Sequence, residues 1–204
     1  ELQAAGIRKQ VSTYAELRQR DVVMQRYGFS CGAAAVATVL RYSYGEPVSE
    51  EHVMRFLLRG LDINVVRARG GFSMLDLKRF AAALGHNAVG YRMDEEFLAT
   101  LSVPVIVPVV IRELPHFVVI TAVSGGRVFI ADPALGNLVM SLKRFMALWQ
   151  GGVGLAIYGR PGPDGEPVPP ATRCSATPAP GVETQQLPVL SGHRGRMLRS
   201  IDEF

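Results

Sequence analysis

This chain of 204 residues contains little cysteine and histidine and has no long hydrophobic run. Its two cysteines, Cys31 and Cys174, are too few for a disulfide framework, and the scattered histidines show no zinc-ligand spacing. We therefore expect no metal and no other cofactor. The longest apolar run, Val103–Ile111, is interrupted by two prolines and is about half the length of a membrane-spanning helix. The sequence thus predicts no integral membrane segment.

Neither positive nor negative charge is concentrated in one segment of the chain. The 22 basic and 18 acidic residues are interspersed, although the formal net charge is +4. Nucleic-acid-binding proteins typically carry a basic block or a basic and aromatic ribbon, and none is present here. We therefore expect no nucleic-acid partner. The hydrophobic fraction of 48% is sufficient to build a globular core.

Changes in composition divide the chain into three parts. Residues 1–20 are predicted to be an N-terminal extension with a short helix, and residues 21–159 the main domain. Eight of the thirteen prolines lie between Pro161 and Pro188, so residues 160–204 are predicted to be a flexible Pro/Gly-rich tail, with a short helix near 196–201. The chain begins at Glu1 rather than at methionine. We expect that an upstream segment, such as a signal peptide, was removed or left out.

Hydrophobic periodicity predicts helices in the first half of the main domain and strands in the second half. The predicted helices are 11–20, with a cap at Ser12 or Thr13, 32–45, 49–59, 73–85, 94–101 and 141–149. The predicted strands are 105–111, 116–123, 127–132, 137–140 and 153–159. Short turns connect successive strands, which favours an antiparallel sheet. The fold class is therefore predicted to be α+β.

Cys31 lies where a polar, glycine-containing loop turns into an apolar helix. Free backbone amides and the helix dipole at such a position favour a thiolate, which is the nucleophilic form of cysteine. The alternative is that Cys31 is simply a small buried hydrophobic residue, as most isolated cysteines are. The residue taken alone favours this alternative.

Three further residues are candidates for partners of the sulfur. His116 begins one predicted strand and Asp132 ends the next, so a hairpin of these strands brings imidazole and carboxylate together, as a cysteine nucleophile requires. The side-chain amide of Gln25, with the backbone amide of Cys31, could donate to a tetrahedral oxyanion, which contributes about 3 to 4 kcal/mol in known cases. Gln25 can equally be an ordinary surface residue.

Three motifs resemble the peptidase C39 family, which consists of papain-like cysteine peptidases that remove double-glycine leaders from exported peptides. They are Gln25-x5-Cys31-Gly-Ala-Ala, Pro115-His116-Phe-Val-Val and Asp132-Pro-Ala-x-Gly136. The resemblance covers about residues 20–158. It implies a papain-like fold in which the nucleophile helix packs on an antiparallel sheet. It also implies Cys31 as nucleophile, His116 as general base and acid, Asp132 as the residue that orients the imidazole, and Gln25 in the oxyanion hole.

The sequence departs from the best-known C39 peptidases because no transporter segment accompanies it. This stand-alone form with a Pro-rich tail is similar to the C39 peptidases of functional-amyloid secretion systems. That similarity implies a periplasmic location, a protein or peptide substrate cleaved after small, Gly-Gly-like residues, and amyloid secretion components as partners. The alternatives are an acyl or amide transferase and a binding module that does not cleave. Cys174 is interpreted as a dispensable free thiol on the tail.

Overall fold

The computed structural model describes residues 13–100, 102–162, 166, 168–170 and 196–197. Its helices are α1 (Tyr14–Gln19), α2 (Cys31–Tyr44), α3 (Glu50–Leu57), α4 (Ile63–Ala68), α5 (Met74–Ala83), α6 (Glu95–Leu98) and α7 (Leu142–Leu148). Its strands are β1 (Asn87–Arg92), β2 (Val105–Ile111), β3 (Leu114–Ser124), β4 (Arg127–Asp132), β5 (Gly136–Ser141), β6 (Val153–Tyr158) and β7 (Arg196–Met197). No helix in the described part of the chain is long and apolar enough to cross a membrane.

All strands belong to one sheet with the order β5-β4-β3-β2-β6-β1-β7, and every neighbouring pair is antiparallel. Strands β2 to β5 follow one another through short turns, as the sequence predicts. The β3–β4 hairpin has a register shift between Ile120 and Ala122, and it pairs Val119 with Ala131. The start of β3 and the end of β4 therefore lie side by side at one edge of the hairpin.

Helix α2 is the central helix of the fold and packs against β3. Its first turns are rich in alanine, and Ala33 to Ala35 are completely buried. Gly32 is close to its neighbours, since a methyl group placed on it would lie 3.2 Å from the Phe117 ring and 3.3 Å from Leu77. These small side chains allow the helix to approach the sheet closely, which determines where its N-terminal residue lies.

The sheet has a hydrophobic cluster on each of its faces. One cluster joins α2, α3 and α5 to inward side chains such as Ile106, Val119 and Leu155. The other includes Val107, Val118 and, from α7, the fully buried Phe145. Helices and an antiparallel sheet thus form the predicted α+β arrangement.

The helix starts are also capped, because Thr13, Ser49, Ser73, Asp94 and Ser141 each accept a backbone N–H bond at the start of a helix. Ser73 and Thr13 form complete capping boxes. Helix starts are readable from sequence because a cap depends on residues within one turn.

The structure corrects the prediction at three elements. Helix α4 and strand β1 were not predicted: α4 is only six residues long, and β1 depends on its distant partner β6. The predicted helix near 196–201 is wrong at its first two residues, since Arg196 and Met197 form β7 beside Arg92 and Tyr91. Cys174 and most of the predicted tail lie outside the described residues.

Candidate active site

Cys31 is the first residue of α2 and is 4% exposed. Ser30 occupies the cap position, but its side chain makes no capping bond to the helix. The Ser30 hydroxyl instead bonds to the Tyr27 carbonyl (2.8 Å) and to the Glu50 carboxylate. The sulfur therefore lies at a helix N-terminus that has no side-chain cap, where backbone amides favour negative charge.

His116 and Asp132 meet across the β3–β4 hairpin, as their strand positions predict. The Nε2–H of His116 donates to Asp132 Oδ1 at 2.9 Å. The same oxygen accepts from the backbone amides of Ala134 (2.7 Å) and Leu135 (3.1 Å). Asp132 is 1% exposed, and its Oδ2 is buried without a hydrogen-bond partner among the described residues. The turn after β4 thus fixes the carboxylate that orients the imidazole.

The imidazole of His116 interacts with both the carboxylate and the thiol. Its burial lowers the pKa, but hydrogen bonds to Asp132 and Cys31 and the charges of these groups outweigh this effect and raise the pKa of His116 to about 9. Because Nε2 faces Asp132, the hydrogen bond to Cys31 involves Nδ1. The structure therefore brings together the thiol, the imidazole and the carboxylate that the sequence singles out.

Gln25 lies in the loop that leads to Cys31 and is tied to the turn after β4. Its backbone amide donates to the Pro133 carbonyl (2.8 Å), beside Asp132. Its Nε2 donates to the Tyr27 carbonyl (3.0 Å), while its Oε1 is buried without a partner in the described part of the chain. A side-chain amide nitrogen has two hydrogens, so one remains for a ligand. The side chain is half-buried, and Gln25 is not among the residues that line the cavity beside Cys31.

A cavity of about 220 Å³ opens beside Cys31 and His116. Glycine backbone, rigid rings and one cation form the rest of its lining: Arg69, Gly70, Gly71, Phe72, Ser73, Pro108, Pro115 and Phe117. A second cavity, of about 360 Å³, lies between α3 and α5, but none of the described residues that line it is a cysteine. We assign the chemistry to the smaller cavity because it contains the nucleophile candidate.

One wall of the smaller cavity was not recognised in the sequence. Gly71 has a φ of +147°, and a Cβ on it would lie 2.8 Å from the Phe29 carbonyl oxygen, so a side chain is excluded. The Nε–H of Arg69 donates to the Gly71 carbonyl (2.7 Å), and Arg69 Nη2 donates to the buried carboxylate of Asp76. The sequence shows an arginine before paired glycines and an acid in the next helix. It does not show that these residues are in contact.

The spacing of Phe72 and Phe117 within apolar elements predicts core residues. Phe72 belongs to the hydrophobic cluster that contains α2 and Phe117 packs against it, and both also line the cavity. Hydrophobic spacing does not distinguish these two environments, because it reports only which side of an element is apolar.

The described residues contain no group of three or more metal-ligating side chains.

Comparisons with known proteins place this site in a recognised family. The Peptidase C39 family model matches residues 19–160. The chain is 44% identical over 147 residues to a probable functional amyloid protease, FapD, of Pseudomonas fluorescens, covering 72% of this chain and 65% of that protein. It is 42% identical over 160 residues to the FapD of Pseudomonas aeruginosa, covering 78% and 70%. The chain thus spans about two thirds of the length of these curated relatives.

A solved structure supports the fold independently. The peptidase domain of Streptococcus ComA, a bifunctional ABC transporter involved in quorum sensing, superimposes with a TM-score of 0.57 at 23% identity. The match covers 67% of this chain and 96% of that domain. It confirms the α+β fold expected from the motifs. The family-model match and the identity to the two Pseudomonas proteins establish that this chain belongs to the peptidase C39 family.

Proposed function

We propose that this chain is a cysteine endopeptidase that cleaves an exported protein or peptide after small, Gly-Gly-like residues. One observation supports the proposal most directly: a single imidazole bonds to a buried thiol and to a buried carboxylate at the edge of a cavity. A structural histidine does not need an adjacent thiol and an open space. A nucleophile and its general base need both.

The proposed reaction begins with an ion pair of Cys31 thiolate and His116 imidazolium. The sulfur attacks the scissile carbonyl carbon, and the carbonyl oxygen becomes an oxyanion that accepts bonds from the Cys31 backbone amide and the Gln25 side-chain amide. As the intermediate collapses, His116 donates its proton to the leaving amine and the C–N bond breaks. The products of this step are a thioester on Cys31 and a free amine.

Water completes the reaction in the second half. Neutral His116 removes a proton from a water molecule, whose oxygen attacks the thioester carbonyl. A second oxyanion forms at the same donors, and its collapse breaks the C–S bond. The carboxylic acid product leaves, and the thiolate and imidazolium are restored. Asp132 remains a hydrogen-bond acceptor throughout and maintains the orientation of the ring.

The substrate class is proposed from the cavity and from the relatives together. Proline and phenylalanine rings and the Gly70–Gly71 backbone form much of the wall beside Cys31, and the preference for small residues is the one that the resemblance to C39 peptidases implies. The two Pseudomonas relatives are named as probable functional amyloid proteases. We therefore propose an exported substrate associated with functional-amyloid secretion, with secretion components as partners, and a periplasmic location.

The first test combines labelling and cleavage. Iodoacetamide should alkylate Cys31 faster than Cys174, the only other cysteine, because an imidazolium stabilises the Cys31 thiolate. Mass spectrometry should find cleavage after Gly-Gly in a panel of synthetic peptides, and Cys31→Ala should abolish it. Cleavage that persists in Cys31→Ala would contradict the proposal. Amide exchange onto an added amine without hydrolysis would identify a transferase, and binding without any product would identify a non-cleaving module.

A further inference from the structure

Another buried carboxylate lies near the site, on helix α3. Glu50, in the first turn of α3, is 3% exposed. Its neighbour Glu51 is exposed and pairs with Arg26 Nη1 at 2.6 Å. The sequence predicts both acids only as favourable residues for a helix start. Burial of a carboxylate is unfavourable unless hydrogen bonds compensate for the lost water, so the bonds of Glu50 indicate its role.

The hydrogen bonds of Glu50 go to the loop that precedes Cys31. Glu50 Oε1 accepts from the backbone amide of Arg26 (2.9 Å) and from the Ser30 hydroxyl. Helix α3 does not need this carboxylate as its cap, because Ser49 accepts from the backbone amide of His52. The two bonds instead attach both ends of the Arg26–Ser30 loop to the interior of the protein.

Further hydrogen bonds connect the contact between Glu50 and Ser30 to Gln25. The Tyr27 amide donates to the Ser30 hydroxyl oxygen (3.2 Å), and the Tyr27 carbonyl accepts from the Ser30 amide (3.2 Å). The same carbonyl accepts from Gln25 Nε2 (3.0 Å). A continuous hydrogen-bond path therefore leads from Glu50 through Ser30 and Tyr27 to the side chain of Gln25. These bonds limit the movement of the groups that they join.

We propose that Glu50 is a positioning residue that fixes the Gln25 side chain and the Cys31 backbone amide as donors to the oxyanion. Glu50 acts through the loop and does not touch substrate. The inference rests on the proposed peptidase function. Its physical basis is that oxyanion stabilisation requires donors within a narrow range of distances, and a displacement of about 1 Å can lower a rate about a hundredfold.

Two probes separate the position of the donors from the reactivity of the sulfur. N-acetyl-Gly-Gly p-nitrophenyl ester acylates a thiolate through a tetrahedral oxyanion: the C–S bond forms and p-nitrophenolate leaves. Iodoacetamide alkylates the same thiolate by displacement of iodide, without an oxyanion. The ratio of the two first-order rate constants at Cys31 therefore reports on oxyanion donors. Only variants whose circular dichroism spectrum matches that of wild type are compared, because unfolded molecules also react at Cys31.

The expected result is a selective loss of acylation. Glu50→Ala should lower the acylation rate constant about tenfold or more, and the alkylation rate constant should stay within about threefold of wild type. Glu50→Gln retains an acceptor oxygen and should restore acylation to within about threefold. Glu51→Ala is the matched control, because it removes an adjacent but exposed carboxylate, and it should change neither rate. Ser30→Ala, which interrupts the path but leaves Glu50 in place, should resemble Glu50→Ala.

Other outcomes overturn the inference in distinguishable ways. Equal losses of acylation and alkylation in Glu50→Ala and Ser30→Ala would indicate a general structural role. An acylation rate constant equal to that of wild type in both variants would show that the loop does not need the bonds of Glu50. In either case the peptidase proposal would stand, provided that wild-type protein is acylated at Cys31. A wild-type protein that the ester does not acylate at Cys31 would overturn the proposed function, and this inference with it.

Discussion

Among the described residues, the buried His86 and the half-buried His116 are each paired with a carboxylate at nearly the same distance, and only His116 lines the cavity with the thiol. His116 Nε2 lies 2.9 Å from Asp132, and His86 Nε2 lies 3.0 Å from Glu46. The two pairs differ at the other ring nitrogen. Nδ1 of His116 interacts with the Cys31 side chain, whereas Nδ1 of His86 bonds to the Tyr158 carbonyl at 3.1 Å.

The partners of the two carboxylates also differ. Glu46 also pairs with Arg160 Nη2 at 2.7 Å, so the His86 cluster joins the end of α2, the loop after α5 and the end of β6. Asp132 receives backbone amides from its own turn, and it has no cation near it among the described residues apart from His116. A histidine–carboxylate pair therefore does not by itself define a general base. What distinguishes the candidate base is a second nitrogen that faces a nucleophile and a cavity.

The largest expected effect is on turnover, and it should separate the two histidines completely. His116→Ala removes the proton donor and acceptor and should lower kcat/KM about a thousandfold. His86→Ala should leave kcat/KM within about threefold of wild type when rates are normalised to Cys31 sites titrated with iodoacetamide. Cleavage of one Gly-Gly peptide by the three proteins provides the measurement. A comparable catalytic loss in the normalised His86→Ala protein would remove the distinction between the two pairs.

The next effect is on stability, and it concerns His86. His86→Ala removes the side-chain partner of the Tyr158 carbonyl and leaves Arg160 as the partner of Glu46, and it should lower the free energy of unfolding by about 1 to 3 kcal/mol. His52→Ala is the control, because His52 is exposed on α3, and it should change the value by less than about 0.5 kcal/mol. Urea unfolding followed by circular dichroism measures both. Equal stabilities of the two variants would show that the His86 bonds contribute nothing.

The sequence distinguishes these histidines only in part. His116 and Asp132 could be placed together because a hairpin of consecutive strands requires one pairing, and that pairing follows from short turns. His86 follows Gly85, the end of the predicted helix 73–85, so its position predicts only a loop residue. It does lie between α5 and β1. It is buried there because it contacts Glu46 and Tyr158, which are distant from it in sequence.

The same limit explains what else was missed around the site. Caps and hairpins depend on neighbouring residues, so Ser49, Ser73 and the β3–β4 pairing were predictable. The bonds of Glu50 to Ser30 and of Arg69 to Asp76 depend on how the loops pack on α2 and α5. Such contacts between loops and helices have no periodic pattern. The residue types of the site could therefore be predicted, and the contacts that position them could not.

The smallest expected effect concerns the charge of Asp132 and appears in the pH dependence. The imidazolium form of His116 is needed for the ion pair and for protonation of the leaving amine, so kcat/KM should decrease above its pKa of about 9. In Asp132→Asn an amide oxygen can still accept from Nε2–H, but the negative charge is lost. The pKa of His116 should then decrease, and the alkaline limb should move down by about one pH unit or more.

The same change should appear in stability, because a raised pKa in the folded state favours folding while the group is charged. The contribution of His116 is complete below its unfolded pKa of 6.5 and is lost as the pH rises through about 9. Between these values wild-type protein should lose more stability than Asp132→Asn, as measured by urea unfolding at about pH 6 and about pH 10. If the alkaline limb and the loss of stability are the same in both proteins, the carboxylate orients the ring without determining its charge. The two histidine pairs would then differ only in the thiol.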